Sequence, residues 1–217
     1  MTTYTEQQYS TGSAGSVRAS GPLRRWRVVD LVTAAFLGIA FGALFLVWNQ
    51  VYAALSPLFT AVPSLGGLVS GLWLLPGVVG GLVVRRPGAA LFVELLAAFA
   101  EMVFGSQWGA TVLISGLVQG LGVELVLALV LYRRFTAAVA AAAGLVSGFV
   151  EIAGYEWWTA TWTVQPWSAK LLYLGCVCVS GLVIAGLGGY ALVRALAGTG
   201  ALSAFPPGVE HAERTAS

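Results

Sequence analysis

The chain has 217 residues, of which 58% are hydrophobic and only 9% charged, with a mean hydropathy of +0.85. Soluble domains carry roughly 25% charged residues, so this composition describes a polytopic membrane protein and excludes a soluble enzyme. The formal charge is +2, and the basic residues form no stripe of the kind a phosphate backbone needs, which excludes nucleic-acid binding.

In chain order, the first twenty residues, MTTYTEQQYSTGSAGSVRAS, are polar and rich in Gly, Ser and Thr. No basic segment leads into a short apolar core and cleavage site. Residues 1–27 are therefore expected to be an unstructured cytoplasmic tail, not a signal peptide. A membrane helix needs about 20 apolar residues, with a range of about 17–25. On that measure six segments follow, at 28–55, 65–84, 88–104, 110–132, 135–155 and 167–196. The third is short. The fourth and fifth are separated only by Tyr132-Arg133-Arg134. Together they predict an all-α, six-helix transmembrane domain over 28–196, followed by a second unstructured tail over 197–217.

Basic residues set the predicted orientation. Arg18, Arg24, Arg25 and Arg27 precede helix 1, Arg85 and Arg86 follow helix 2, Arg133 and Arg134 follow helix 4, and Arg194 closes helix 6. The opposite side has only Lys170. The positive-inside rule then places both termini in the cytoplasm of a multi-pass protein of a prokaryotic plasma membrane. Trp48, Trp108, Trp157, Trp158, Trp162 and Trp167 fall near the outer side, with Trp73 a little deeper, whereas the inner face has only Trp26. Such an asymmetry goes beyond an interfacial belt, and the loop 156–170, EWWTATWTVQPWSAK, reads as a lid.

Carboxylates inside apolar sequence are functional-site candidates because a bare charge in lipid is costly. Glu94 and Glu101 lie seven residues apart on helix 3, nearly two turns, so they face the same way. Gln119 sits at mid-depth on helix 4 with Glu124 below it. Glu151, Tyr155 and Glu156 lie toward the outer end of helix 5, and helix 1 ends in Trp48-Asn49-Gln50 and Tyr52. Carboxylates supply charge, amides directional hydrogen bonds, and tryptophans stacking and cation–π attraction. The outer half therefore suits a flat, cationic ligand. The same acids could serve a proton relay, or pack as protonated structural groups. Glu124 reads as a packing acid too deep for ligand contact.

Helix 1 carries Ala34, Gly38 and Gly42 at four-residue spacing, a pattern that lets helices approach closely in lipid. Internal packing and a partner surface are both open readings. Cys176 and Cys178, two residues apart on one helix, point away from each other and should not bridge. No histidine lies in a span, and there is no zincin or Walker A motif. An enzyme is not expected, no cofactor or metal site is indicated, and any pumping energy must come from a partner or a gradient.

The run Arg86-Pro87-Gly88-Ala89-Ala90-Leu91, with Glu94, Glu101, Gly105, Gly109 and then Gln119-Gly120-Leu121-Gly122-Val123-Glu124, resembles the YkoE-like family. These are substrate-binding (S) subunits of energy-coupling factor (ECF) transporters. The likeness covers residues 28–196 and includes the Trp48-Asn49 end of helix 1. Val123 stands where the family pattern has Ala, and the turn holding Gln107 and Trp108 is one version of a variable G-x-x-x-G segment. The resemblance implies a six-helix S component that captures thiamine, or its hydroxymethylpyrimidine precursor, from outside. It implies a complex with a transmembrane coupling subunit and two cytoplasmic ATPase subunits, with Ala34, Gly38 and Gly42 against the coupling subunit. The expected site is Glu101 on the cation or aminopyrimidine, with Glu94, Gln119 and Glu151 deeper or adjacent. Trp48, Asn49, Gln107, Trp108 and Tyr155 enclose the ligand. A cobalt site has no His or Cys ligand set to build on. A membrane scaffold without transport activity and a solo proton-coupled transporter of a small cation remain the alternatives.

Overall fold

The computed structural model describes residues 16–19, 21–23 and 25–216. Most of the expected N-terminal tail, and Arg24, lie outside the described residues. Every regular element among the described residues is helical. Helix α1, Val28–Ala61, begins where Asp30 accepts the backbone N–H of Arg27 (2.9 Å), which satisfies an otherwise orphaned first-turn donor. A 3₁₀ helix, Pro63–Leu72, leads through Trp73 and Leu74 into α2, Leu75–Val84. Then come α3, Ala89–Phe104, α4, Val112–Leu129, and α5, Ala137–Gly154. A short α6, Ala160–Thr163, precedes α7, Trp167–Ser180, which continues through a π-helical stretch, Gly181–Gly188, into α8, Gly189–Gly198. The last element is α9, Pro206–Ala216.

Every residue of α2 is buried. Its all-round apolar sequence explains this, because such a helix has no polar face to present outward. It is the axis of the fold, with α1, α3, α4, α5 and α8 packed around it. Among the described residues, five segments are long and apolar enough to cross a membrane: Val28–Thr60, Pro63–Val84, Gly109–Leu129, Ala137–Trp158 and Trp167–Gly198. Helix α3, with 16 residues, is below the usual spanning length.

Two expectations need correction. The stripe Ala34-Gly38-Gly42 is not an exposed partner surface, because α1 packs it against α3. A Cβ added at Gly42 would lie 2.4 Å from the Ala100 Cβ, and one at Gly38 would lie 2.8 Å from the Leu96 Cβ. The small residues are consumed by close approach within the chain. Nor is 197–217 an unstructured tail across its described residues. Leu202 and Phe205 are buried, and α9 sets Glu210 against Arg85 in a 2.5 Å ion pair.

That ion pair belongs to a polar cluster at the arginine-bearing end. Arg86 and Asp30 pair at 2.5 Å with both side chains fully buried, and Asp30 also binds Arg27. Arg85 donates to the Val17 carbonyl and stacks 4.5 Å over Phe135. The basic turn at 85–88 is therefore an internal crosslink rather than a solvated loop. Glu124 has the packing role expected of it. It accepts the Ala90 N–H (2.8 Å) at the start of α3 and the hydroxyl of Tyr132, where a carboxylate complements the helix N-terminus. Burial, and then the Glu124 carboxylate, push the Tyr132 hydroxyl above its usual range, so it stays a donor.

Candidate substrate-binding site

The site starts from a break in the second apolar segment. The helix changes from 3₁₀ to α between Leu72 and Leu75. Pro76 has no N–H to offer the carbonyl of Leu72, and the break leaves backbone polar groups to be met by side chains. Two do so. Glu94, on α3, accepts the Gly77 N–H at Oε2 (2.6 Å). A Cβ at position 77 would come within 2.9 Å of that oxygen, so only glycine admits the carboxylate so close. Gln119, on α4, has an amide orientation that satisfies every neighbour: Nε2 donates to Glu94 Oε1 (3.1 Å) and to the Trp73 carbonyl (3.1 Å), and Oε1 accepts from Ser115 Oγ (2.7 Å). Irregular backbone at membrane depth is tolerated where protein groups or a cavity satisfy it.

Beside this break lies a cavity of about 550 Å³. Its wall includes Glu94, Glu101, Gln119, Glu151, Trp108 and Tyr155, six of the nine residues expected from sequence to bind the ligand. Glu94, Glu101 and Glu151 are only 1%, 3% and 6% exposed, so these acidic groups have been taken almost wholly out of solvent. Glu101 accepts from Asn49 Nδ2 (2.8 Å) and Ser106 Oγ (3.0 Å). Both bonds fall on Oε1, which leaves Oε2 to the cavity. Glu151 pairs with Ser115 Oγ through Oε1 (2.6 Å), while its Oε2 is buried with no partner. Among the described residues, no Lys, Arg or His lines the cavity.

The aromatic wall is a cluster of edge-on rings. Trp73 and Trp108 meet at 5.4 Å and 87°, and Tyr52 packs on both, at 5.2 Å and 5.9 Å. The remaining expected residues fall outside the wall. Trp48 packs edge-on against Trp73 (6.1 Å) and supports it from behind. Asn49 reaches the site only through Glu101. Gln107 is exposed on the turn after α3.

The segment 156–170, expected from sequence to be a lid, contributes Glu156, Thr159 and Trp162 to the wall. Glu156 accepts from Trp162 Nε1 (3.0 Å) and the Tyr173 hydroxyl (3.0 Å). Trp162 stacks on Tyr173 at 4.2 Å, so the segment is latched to α7. Sequence reasoning missed Ser115, Tyr173 and the structural importance of Trp73. Ser115 had a signal, because it precedes Gln119 by four residues on the same helical face. Tyr173 had none, since its pairing depends on how α7 meets the lid.

Residues 29–150 match the family model described as "ABC-type cobalt transport system, permease component", which is more than half of the chain. The chain belongs to that family. It is also similar to the Bacillus subtilis (strain 168) protein named "Putative HMP/thiamine permease protein YkoE", with 29% identity over 188 residues, 87% of this chain and 93% of the relative. A solved structure titled "Crystal structure of an S-component of ECF transporter" superposes with a TM-score of 0.83 at 28% identity, covering 88% of this chain and 95% of that one. The fold is thus that of an S component, and the protein is a multi-pass membrane subunit that binds substrate for an ECF transporter. It is not an enzyme.

Proposed function

We propose that this S component captures thiamine, or its hydroxymethylpyrimidine precursor, in the cavity between α1, α3, α4, α5 and α7. The observation that carries the reading is the wall itself: three buried carboxylates, no basic side chain and a cluster of indole and phenol rings. Thiamine offers a permanent thiazolium charge and a flat aminopyrimidine. A cation over aromatic faces gains about 2 kcal/mol or more when desolvated, and the carboxylates supply compensating charge. An aminopyrimidine has both an amine to donate and ring nitrogens to accept, and the wall offers Glu101, Glu94, Gln119 and Glu151 as acids and an amide to meet them. The family description names cobalt, yet among the described residues no group of three or more His, Cys, Asp or Glu side chains could hold a metal ion. The donor set favours an organic cation.

In the proposed arrangement the chain crosses the membrane six times, with α3 as a short third crossing. Both termini and the arginine cluster face the cytoplasm, and the tryptophan end faces outward. A coupling subunit and two ATPases complete the importer. Mass spectrometry of small molecules retained by the gently purified protein tests the assignment. Thiamine or hydroxymethylpyrimidine is the expected species. A different retained vitamin, or uptake of substrate into vesicles holding this chain without any ATPase, would overturn it.

A further inference from the structure

The hydrogen bonds linking Glu94 to Glu151 can be counted, and the count fixes a charge. Gln119 donates from Nε2 to both Glu94 Oε1 and the Trp73 carbonyl, and its own carbonyl accepts from Ser115 Oγ. The reverse amide orientation would set the Gln119 carbonyl against two acceptors at 3.1 Å, leaving the Trp73 oxygen without a donor. A serine hydroxyl has one hydrogen, and that hydrogen is committed to Gln119. The 2.6 Å contact between Ser115 Oγ and Glu151 Oε1 then needs a hydrogen from the carboxyl side. Glu94 has the opposite surroundings, accepting N–H groups on both oxygens, from Gly77 and from Gln119.

The geometry points to a single proton held by the chain Glu94–Gln119–Ser115–Glu151, resident on Glu151 in the empty site. Glu94 is then the fixed charge at the cavity floor. Glu151 is a neutral carboxylic acid whose Oε2 is buried without a partner, a setting that a neutral group tolerates better than a charged one. Moving the proton to Glu94 would require the Gln119 amide to turn over and one proton to leave one carboxyl and join the other, with the total charge of the pair unchanged at minus one.

The other groups around the pair agree with this assignment. From α3, Glu101 accepts two hydrogen bonds and donates none. From the lid, Glu156 likewise only accepts, from Trp162 and Tyr173. Tyr52, Tyr155 and Tyr173 face the cavity from α1, the end of α5 and α7, and the 3₁₀ helix and α2 bring no titratable side chain to it. Among the described residues no cationic side chain lines the cavity to hold Glu151 ionised. Two carboxylates sharing a buried site do not both ionise when one can keep a proton.

The inference deepens the proposed binding site but does not depend on which ligand fills it, because the test uses ligand-free protein. Infrared spectra of the purified full chain at neutral pH should show the carbonyl stretch of a buried carboxylic acid, shifting in D₂O. Glu151→Gln should abolish that band and Glu94→Gln should leave it. Ser115→Ala should keep the band but move it to higher frequency, because the acid loses its acceptor. This variant decides the matter if Glu151→Gln does not fold. Absence of the band from the wild-type protein, its loss in Glu94→Gln with retention in Glu151→Gln, or an unshifted band in Ser115→Ala would each overturn the inference. Failure of thiamine to bind would leave all of these spectra unaffected.

Discussion

At the scale of single residues, carboxylates among the helices do three different jobs, and their donors tell them apart. Asp30 neutralises Arg86 in a fully buried pair, Glu124 closes the start of α3, and Glu94 repairs the broken second helix through Gly77. Removing one member of a buried pair costs about 3–5 kcal/mol because the survivor is left uncompensated. Asp30→Ala is therefore expected to lower thermal stability in detergent sharply without touching the cavity wall, and ligand affinity at low temperature should hold. Gly77→Ala sets a methyl 2.9 Å from Glu94 Oε2. Overpacking of this kind costs about 1–3 kcal/mol, and because it displaces a wall residue, affinity should fall together with the melting temperature. Glu94, Glu101, Glu151 and Gln119 stood out because acids and amides are conspicuous in apolar sequence, and the fold brings all four to the cavity wall. Asn49 and Trp48 fall behind that wall, because depth along a helix is legible and rotation about its axis is not.

Among the elements, α1 shows what a small-residue stripe means. Its buried face runs Asp30, Ala34, Gly38, Phe41, Gly42, Phe45 and Asn49, at helical spacing, and all of it faces inward. Gly42→Leu is expected to destabilise the isolated chain, seen as a lower melting temperature in detergent. A variant that melts normally alone and fails only to join the coupling subunit would restore the stripe as a partner surface. The apolar runs were legible from hydropathy: 28–55 and 167–196 lie within Val28–Ala61 and the continuous run from Trp167 to Gly198, although the first helix runs on past Leu55. The change from 3₁₀ to α before Pro76 was not. Its signal, a proline and several glycines in an apolar run, is shared with ordinary membrane helices.

For the whole molecule, the arginine end is crosslinked and the tryptophan end is hollow. Helix α9 escaped the sequence reading because it is polar along its length and is positioned by one ion pair and the buried Leu202 and Phe205. Truncation after Gly198 should therefore lower thermal stability by stranding Arg85, and leave the cavity's ligand preference unchanged. The hollow end holds the charged aromatic wall on which the functional account rests. The most direct test is calorimetric titration of the purified chain and its Glu101→Gln variant with thiamine. Losing a buried charged partner is worth about 3–5 kcal/mol, and each 1.4 kcal/mol is about tenfold in affinity. The account expects saturable one-to-one binding by the wild-type chain, weakened about a hundredfold or more in the variant. No binding by the wild-type chain, or equal affinity in the two proteins, would contradict it.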